Sequence, residues 1–200
     1  NDGEETYDGL YILDFDTMNW SMVHCSVPSG IGFAFATSRR KIYCYGTSST
    51  SNNITVIDMH KELVYSQETC GAPPPPGLPY GGVVKAGEYL FSFGGDTKCN
   101  FTQIYGYHIK KAWWFVFFTG PDGESTSLSD GKVSSAGLFL LPGITHFSCS
   151  YIPETRQIVA FFGHPHRLPV PVFVVSIGDA MAILNLREDM SDMLSFVSEK

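Results

Sequence analysis

Short runs in which every second residue is apolar recur along the chain, a spacing that predicts half-buried β-strands. The clearest, EYLFSFGGD at 88–96, alternates aromatic residues and stops on two glycines. Weaker copies of that ending are IYCYGTS at 42–48 and IVAFFGHP at 158–165, so Gly46, Gly94 and Gly163 each follow an aromatic residue. Glycine has no side chain and can take φ > 0, which suits a sharp strand end where backbones crowd.

A further apolar strand follows each ending: ITVIDMH (54–60), QIYGYHI (103–109) and VFVVSIG (172–178), with LYILDFD (10–16) as an earlier copy. Behind three of these lies a strand with a bulky aromatic residue, NWSMV (Trp20), LVYSQ (Tyr65) and AWWFVFF (Trp113, Trp114). Before each glycine ending lies one more strand, in GIGFAFATS (30–38), YGGVVKAG (80–87) and HFSCSYIP (146–153). Asp14 and Asp58 are 44 residues apart, and Trp20 and Tyr65 are 45 apart. Four strands therefore recur in a fixed order, the signature of a repeat protein whose units bury their faces against one another.

That order resembles the kelch repeat of β-propellers, with FSFGGD followed by QIYGYHIKKAWW as its best copy. The resemblance implies an all-β fold, a kelch-type β-propeller portion of four-stranded antiparallel blades with a short C-terminal helix. On this reading residues 1–184 are the propeller, with blade parts 7–26, 30–68, 80–118 and 145–184 and an insertion at 119–144; residues 185–200 form a helix or a linker to a further domain. About three and a half blades are too few to close such a ring, so further blades are expected in the same protein. Two departures stand out: only one repeat keeps adjacent glycines, and the apolar AMAIL (180–184) stands where the last Trp strand is expected. In the tail, Leu186, Met190, Leu194 and Val197 fall at helical spacing, and Asn185 with Glu188 forms a capping pattern. NLREDMSDMLSF is similar to the acidic lead-in to a BTB domain.

Composition adjusts this picture in a few places. A net charge of −7 argues against nucleic acid as the main partner, and no apolar run is long enough for a membrane-spanning helix. The five cysteines are widely spaced with no C-x-x-C pair, which argues against a zinc site. No nucleophile elbow, phosphate loop or H-E-x-x-H motif occurs. The expectation is a non-enzymatic chain with no cofactor and no metal.

The kelch resemblance implies a face that binds a protein or peptide ligand, made by the loops after the glycine endings (46–53, 94–102, 163–170) together with 69–79 and 119–144. His164, His166, Arg167, Asp96 and Lys98 are the candidate partner-binding residues, as polar groups on loops held by a rigid scaffold. APPPPG (72–77) reads either as a polyproline ligand or as a stiff connector. The implied role is substrate recognition for a cullin-RING ubiquitin-ligase adaptor, with a BTB domain in the same chain, or a cytoskeletal scaffold, and a cytoplasmic location. The alternative is a secreted or cell-surface glycosylated propeller that binds glycans or receptors, or an oxidase relative. Sequons at Asn19, Asn53 and Asn100 favour the alternative, and the odd cysteine count opposes it.

Overall fold

The computed structural model describes residues 10–24, 34–45, 53–75, 81–94, 103–120, 132–133, 139–140, 143–161, 163 and 172–185. These residues form antiparallel sheets and one short helix. Sheet I pairs β1 (Leu10–Leu13) with β2 (Trp20–Val23). Sheet II has four strands in chain order: β3 (Ala34–Ser38), β4 (Lys41–Tyr45), β5 (Ile54–Asp58) and β6 (Leu63–Gln67). Sheet III adds a short fifth strand, β7 (Cys70–Gly71), to the outer edge of four antiparallel ones. Those four are β8 (Gly82–Ala86), β9 (Tyr89–Phe93), β10 (Gln103–His108) and β11 (Trp113–Phe118), and β7 runs parallel to β11. The pair β12 (Lys132–Val133) and β13 (Phe139–Leu140) forms a small ribbon. Sheet IV has three strands, β14 (Ser148–Ile152), β15 (Gln157–Phe161) and β16 (Val172–Ser176). Among the described residues no sheet closes on itself.

Sheet III is covered on both faces, which explains why β9 is buried at every position. Strand side chains alternate between faces. Tyr89, Phe91 and Phe93 therefore share one side with Ile104, where they meet Ile158, Ala160 and Phe173 of sheet IV. Leu90, Tyr107 and Trp114 point the other way, onto Tyr43, Tyr45 and Val56 of sheet II. Trp114 stands edge-on to Tyr45, with ring centroids 5.3 Å apart, and lies 4.9 Å from the Tyr107 ring. Each large side chain buried this way contributes about 1.5–3 kcal/mol. The two cores together are what hold the three sheets in a stack.

One turn geometry recurs and fixes the register. At the end of β1 the Asp14 carboxylate accepts the backbone N–H groups of Asp16 (2.9 Å) and Thr17 (2.8 Å). Asp58, at the end of β5, accepts those of His60 and Lys61, both at 3.1 Å. At the end of β10, His108 takes the same part through Nδ1, accepting from Lys110 (3.2 Å) and Lys111 (3.3 Å). The fourth residue on from each has a positive φ: Met18 at 55°, Glu62 at 51° and Ala112 at 53°. A second contact repeats in sheets II, III and IV, where Met59, Ile109 and Ile177 each donate a backbone N–H, at 3.0 Å, to a carbonyl in the preceding hairpin turn, Arg40, Glu88 and Arg156 respectively. The aromatic comparison in the sequence needs one correction. Aligned on these turns, Trp20 (opposite Leu13) matches Trp114 (opposite Tyr107) and Val64 (opposite Ile57), not Tyr65.

A short helix lies just before the tail pattern. Residues 178–185 are helical, so AMAIL is not a fourth strand of sheet IV. Ala, Met and Leu are strong helix formers. Leu184 is buried and Met181 packs on the same core, three positions apart on one face. The Met181 N–H bonds to the Ile177 carbonyl (2.9 Å), and the Tyr151 hydroxyl rests on its sulfur. The tail pattern beyond residue 185 lies outside the described residues.

Candidate functional site

The expected binding loops all leave from one end of the sheets, where β4, β9 and β15 finish. His164, His166, Arg167, Asp96 and Lys98 themselves lie outside the described residues. What is described at that end is the platform beneath them. Gly94 closes β9 with φ at 72°, and a Cβ there would sit 2.8 Å from the Phe147 ring and 2.9 Å from the Ile144 carbonyl oxygen. A Cβ on Gly163 would lie 2.5 Å from the Ile144 side chain. The segment Ile144–Phe147 is thus wedged against two of the glycine endings, with Phe147 also 5.2 Å from the Phe93 ring. These endings are glycine because a neighbouring chain occupies the space a side chain would need.

The proline-rich segment is anchored at the same end. The Tyr45 hydroxyl donates to the Pro74 carbonyl (2.7 Å), with the Pro75 carbonyl at 3.3 Å. Below it, Cys70 and Ala72 donate to the Ala112 and Trp114 carbonyls, both at 3.0 Å, which lays the chain along the edge of β11. Burial raises the Tyr45 phenol to about 12, so it stays a donor at any physiological pH. Residues 69–75 are therefore pinned between sheets II and III, and the rest of APPPPG lies outside the described residues.

At the opposite end, the residue pairs at the matching register position differ in chemistry from sheet to sheet. In sheet II they are Lys41 and Asp58, whose ammonium and carboxylate are 3.3 Å apart, with the Lys41 Nζ also donating to the Tyr65 hydroxyl at 3.3 Å. In sheet III the pair is Tyr89 and His108, rings edge to face at 5.0 Å. In sheet IV it is Gln157 and Ser176, joined by a 3.4 Å hydrogen bond. Burial alone would raise the Asp58 carboxyl. The Lys61 N–H, the Lys41 ammonium and the His60 N–H together outweigh that and hold it below its ordinary value. Hydrogen bonding to Tyr65, opposed by burial and helped by Asp58, raises the Lys41 ammonium. A lysine held charged in this way is a structural cation, not a nucleophile.

No protein-family model and no curated protein matches the chain.

Cys44 and Cys149 are equally unsuited to chemistry. Burial pushes Cys44 and Cys149 up to about 11, which leaves almost no thiolate at neutral pH. Among the described residues no three His, Cys, Asp or Glu side chains come together as metal ligands. The sequence reading passed over the basic residues of the turns at this end. Their signal was present in SRRK (38–41), HKE (60–62) and IKKA (109–112).

Proposed function

We propose that the chain is part of a kelch-type propeller that serves as a protein-interaction module, binding a peptide or protein partner through the loops at the glycine-ended face. The observation that carries this reading is the repeat in three dimensions. Sheets II, III and IV share one hairpin-to-strand hydrogen bond, sheets I, II and III share one turn, and II, III and IV pack face to face. Stacked repeats of this kind hold a rigid frame from which loops project, and such loops are where binding residues are carried. His164, His166, Arg167, Asp96 and Lys98 are the residues proposed to meet the partner. Substrate recognition for a ubiquitin-ligase adaptor, with a BTB domain in the same protein, is the finer form of the reading, and it rests on the tail NLREDMSDMLSF alone.

Selection of peptides from a displayed random library against the folded chain tests the module directly. The expected result is a family of peptides whose binding weakens when Arg167 and His164 are replaced by alanine. Recovery of no peptide, or of peptides indifferent to every one of the five residues, overturns it.

A second reading, a secreted glycosylated propeller, is favoured by Asn19, which stands exposed on the β1–β2 turn. Cys44, Cys70 and Cys149 are free thiols, which favours the first reading. Mass spectrometry of native material for glycan at Asn19 separates the two.

A further inference from the structure

The end of the stack opposite the glycine endings carries a charge unlike the rest of the chain. The turns of sheets II and III bring together Arg39, Arg40, Lys41, Lys61, Lys110 and Lys111 against only Asp58, Glu62 and Glu88, six cations and three anions, or +3. The chain as a whole is −7, so everything outside this patch sums to −10 (−7 − 3). The turns of the other sheets do not extend it. Asp14 and Asp16 make the sheet I turn acidic, and Glu154 offsets Arg156 in sheet IV.

The four turns are physically joined. Met59 donates to the Arg40 carbonyl within sheet II, and Ile109 to the Glu88 carbonyl within sheet III. Glu88 then bridges the sheets, 3.3 Å from Arg39 and 3.5 Å from Lys110. One carboxylate shared between two cations leaves a positive remainder. Both cations are largely solvated, at 76% and 64% side-chain exposure, and ion pairs that open to water exchange partners at little cost. Beside each cationic turn stands an exposed apolar side chain, Leu63 after Glu62 and Trp113 after Ala112. Leu63 is the first residue of β6, the outer strand of sheet II, and Trp113 the first of β11, which β7 flanks at Cys70.

We infer that this turn face of sheets II and III is a second docking surface, whose occupant is a short acidic peptide segment carrying interspersed apolar or aromatic residues. The cations would meet its carboxylates, while Leu63 and Trp113 would meet its side chains. A nucleic acid suits the face less well. A long polyanion would overrun a patch this small, and the chain as a whole carries −7. This surface lies at the other end of the strands from the proposed partner-binding loops, so the two stand or fall separately.

The test is fluorescence anisotropy with the synthetic peptide EDEFEDL, run beside its lysine counterpart KKKFKKL and a fluorescein-labelled oligothymidylate. The expected result is that EDEFEDL binds and KKKFKKL does not, with binding that weakens as salt rises. The double variant Arg40→Glu/Lys61→Glu should lower the affinity roughly tenfold or more, as repulsion replaces attraction. Arg156→Glu, in the adjoining turn of sheet IV, should leave it unchanged. Arg40→Gln/Lys61→Gln, which removes charge without adding repulsion, should give an intermediate loss, and melting curves check that each variant is folded. The inference is overturned if EDEFEDL fails to bind, if folded double variants bind it as the parent does, or if oligothymidylate binds more tightly with the same dependence on Arg40 and Lys61.

Discussion

Sheets I and III contain the same hairpin and live in different surroundings. Asp14 and His108 close equivalent turns, and Trp20 and Trp114 occupy the same position on the strand that follows. Yet Trp114 is 2% exposed and Trp20 is 66% exposed. Tyr11 and Met22, on the same side of the ribbon as Trp20, are exposed as well. The difference is the neighbour. Sheet II lies over Trp114, whereas nothing among the described residues lies over Trp20. Local turn chemistry is thus enough to set strand pairing, but the energy comes from sheet-on-sheet burial, and a two-stranded ribbon has little of its own.

The sharpest way to break that comparison is to truncate both tryptophans. Trp114→Ala opens a cavity between two sheets and should cost about 3–5 kcal/mol. Trp20→Ala should change stability by no more than about 0.5 kcal/mol, as expected for a surface position. Urea unfolding followed by far-ultraviolet circular dichroism measures both, and equal losses would show that sheet I is covered as sheet III is.

A smaller effect is expected where glycine meets a neighbouring chain. Gly94→Ala forces a Cβ onto Phe147 and the Ile144 carbonyl at positive φ, and should cost about 1–3 kcal/mol. Gly120→Ala, with no atom within 4 Å, should be close to neutral, and thermal melts of the pair decide it.

The two aspartate turns should differ next. Asp14 and Asp58 hold the same turn, but Asp58 is buried and ion-paired as well, so Asp58→Ala should lower the melting temperature further than Asp14→Ala. Both carboxyls sit below their ordinary value of 3.8 when folded, Asp14 mainly through the Thr17 N–H and hydroxyl. Their stabilisation is therefore present above 3.8 and is lost as pH falls through the lower folded values. Melting temperatures measured down through that range should fall less steeply in Asp58→Asn, which keeps an acceptor oxygen and loses the titration.

The smallest change is chemical and leaves the fold untouched. Cys70 is exposed and should react with a maleimide in the native protein at neutral pH, whereas Cys44 and Cys149 should wait for unfolding. Peptide mapping after a short pulse reads each site.

Much of this architecture was legible in the alternating patterns, because a half-buried strand cannot hide its period of two. ITVIDMH, QIYGYHI and VFVVSIG each lie on the strands β5, β10 and β16. Two features were less legible, for identifiable reasons. AMAIL was judged by its place in the repeat, and its propensity for helix won because Met181 and Leu184 could reach the core from a helix. The match of Trp20 with Tyr65 followed aromatic identity, whereas register follows the turn, which puts Val64 there. For the candidate site, the glycine endings pointed to crowding at Gly94 and Gly163, and the geometry supplies it. The basic turns escaped notice because a net charge averages over the whole chain, while a fold sorts charge by end.

Burial of β9 on both edges and both faces has a consequence in time. Its amide protons are hydrogen-bonded to β8 and β10 and sealed by two cores, so they exchange with solvent only when the whole stack comes apart. The amides joining β1 to β2 need only the ribbon to part. Left in heavy water, the molecule should label from its first hairpin inward, with Leu90 and Phe91 among the last residues to carry their original hydrogen.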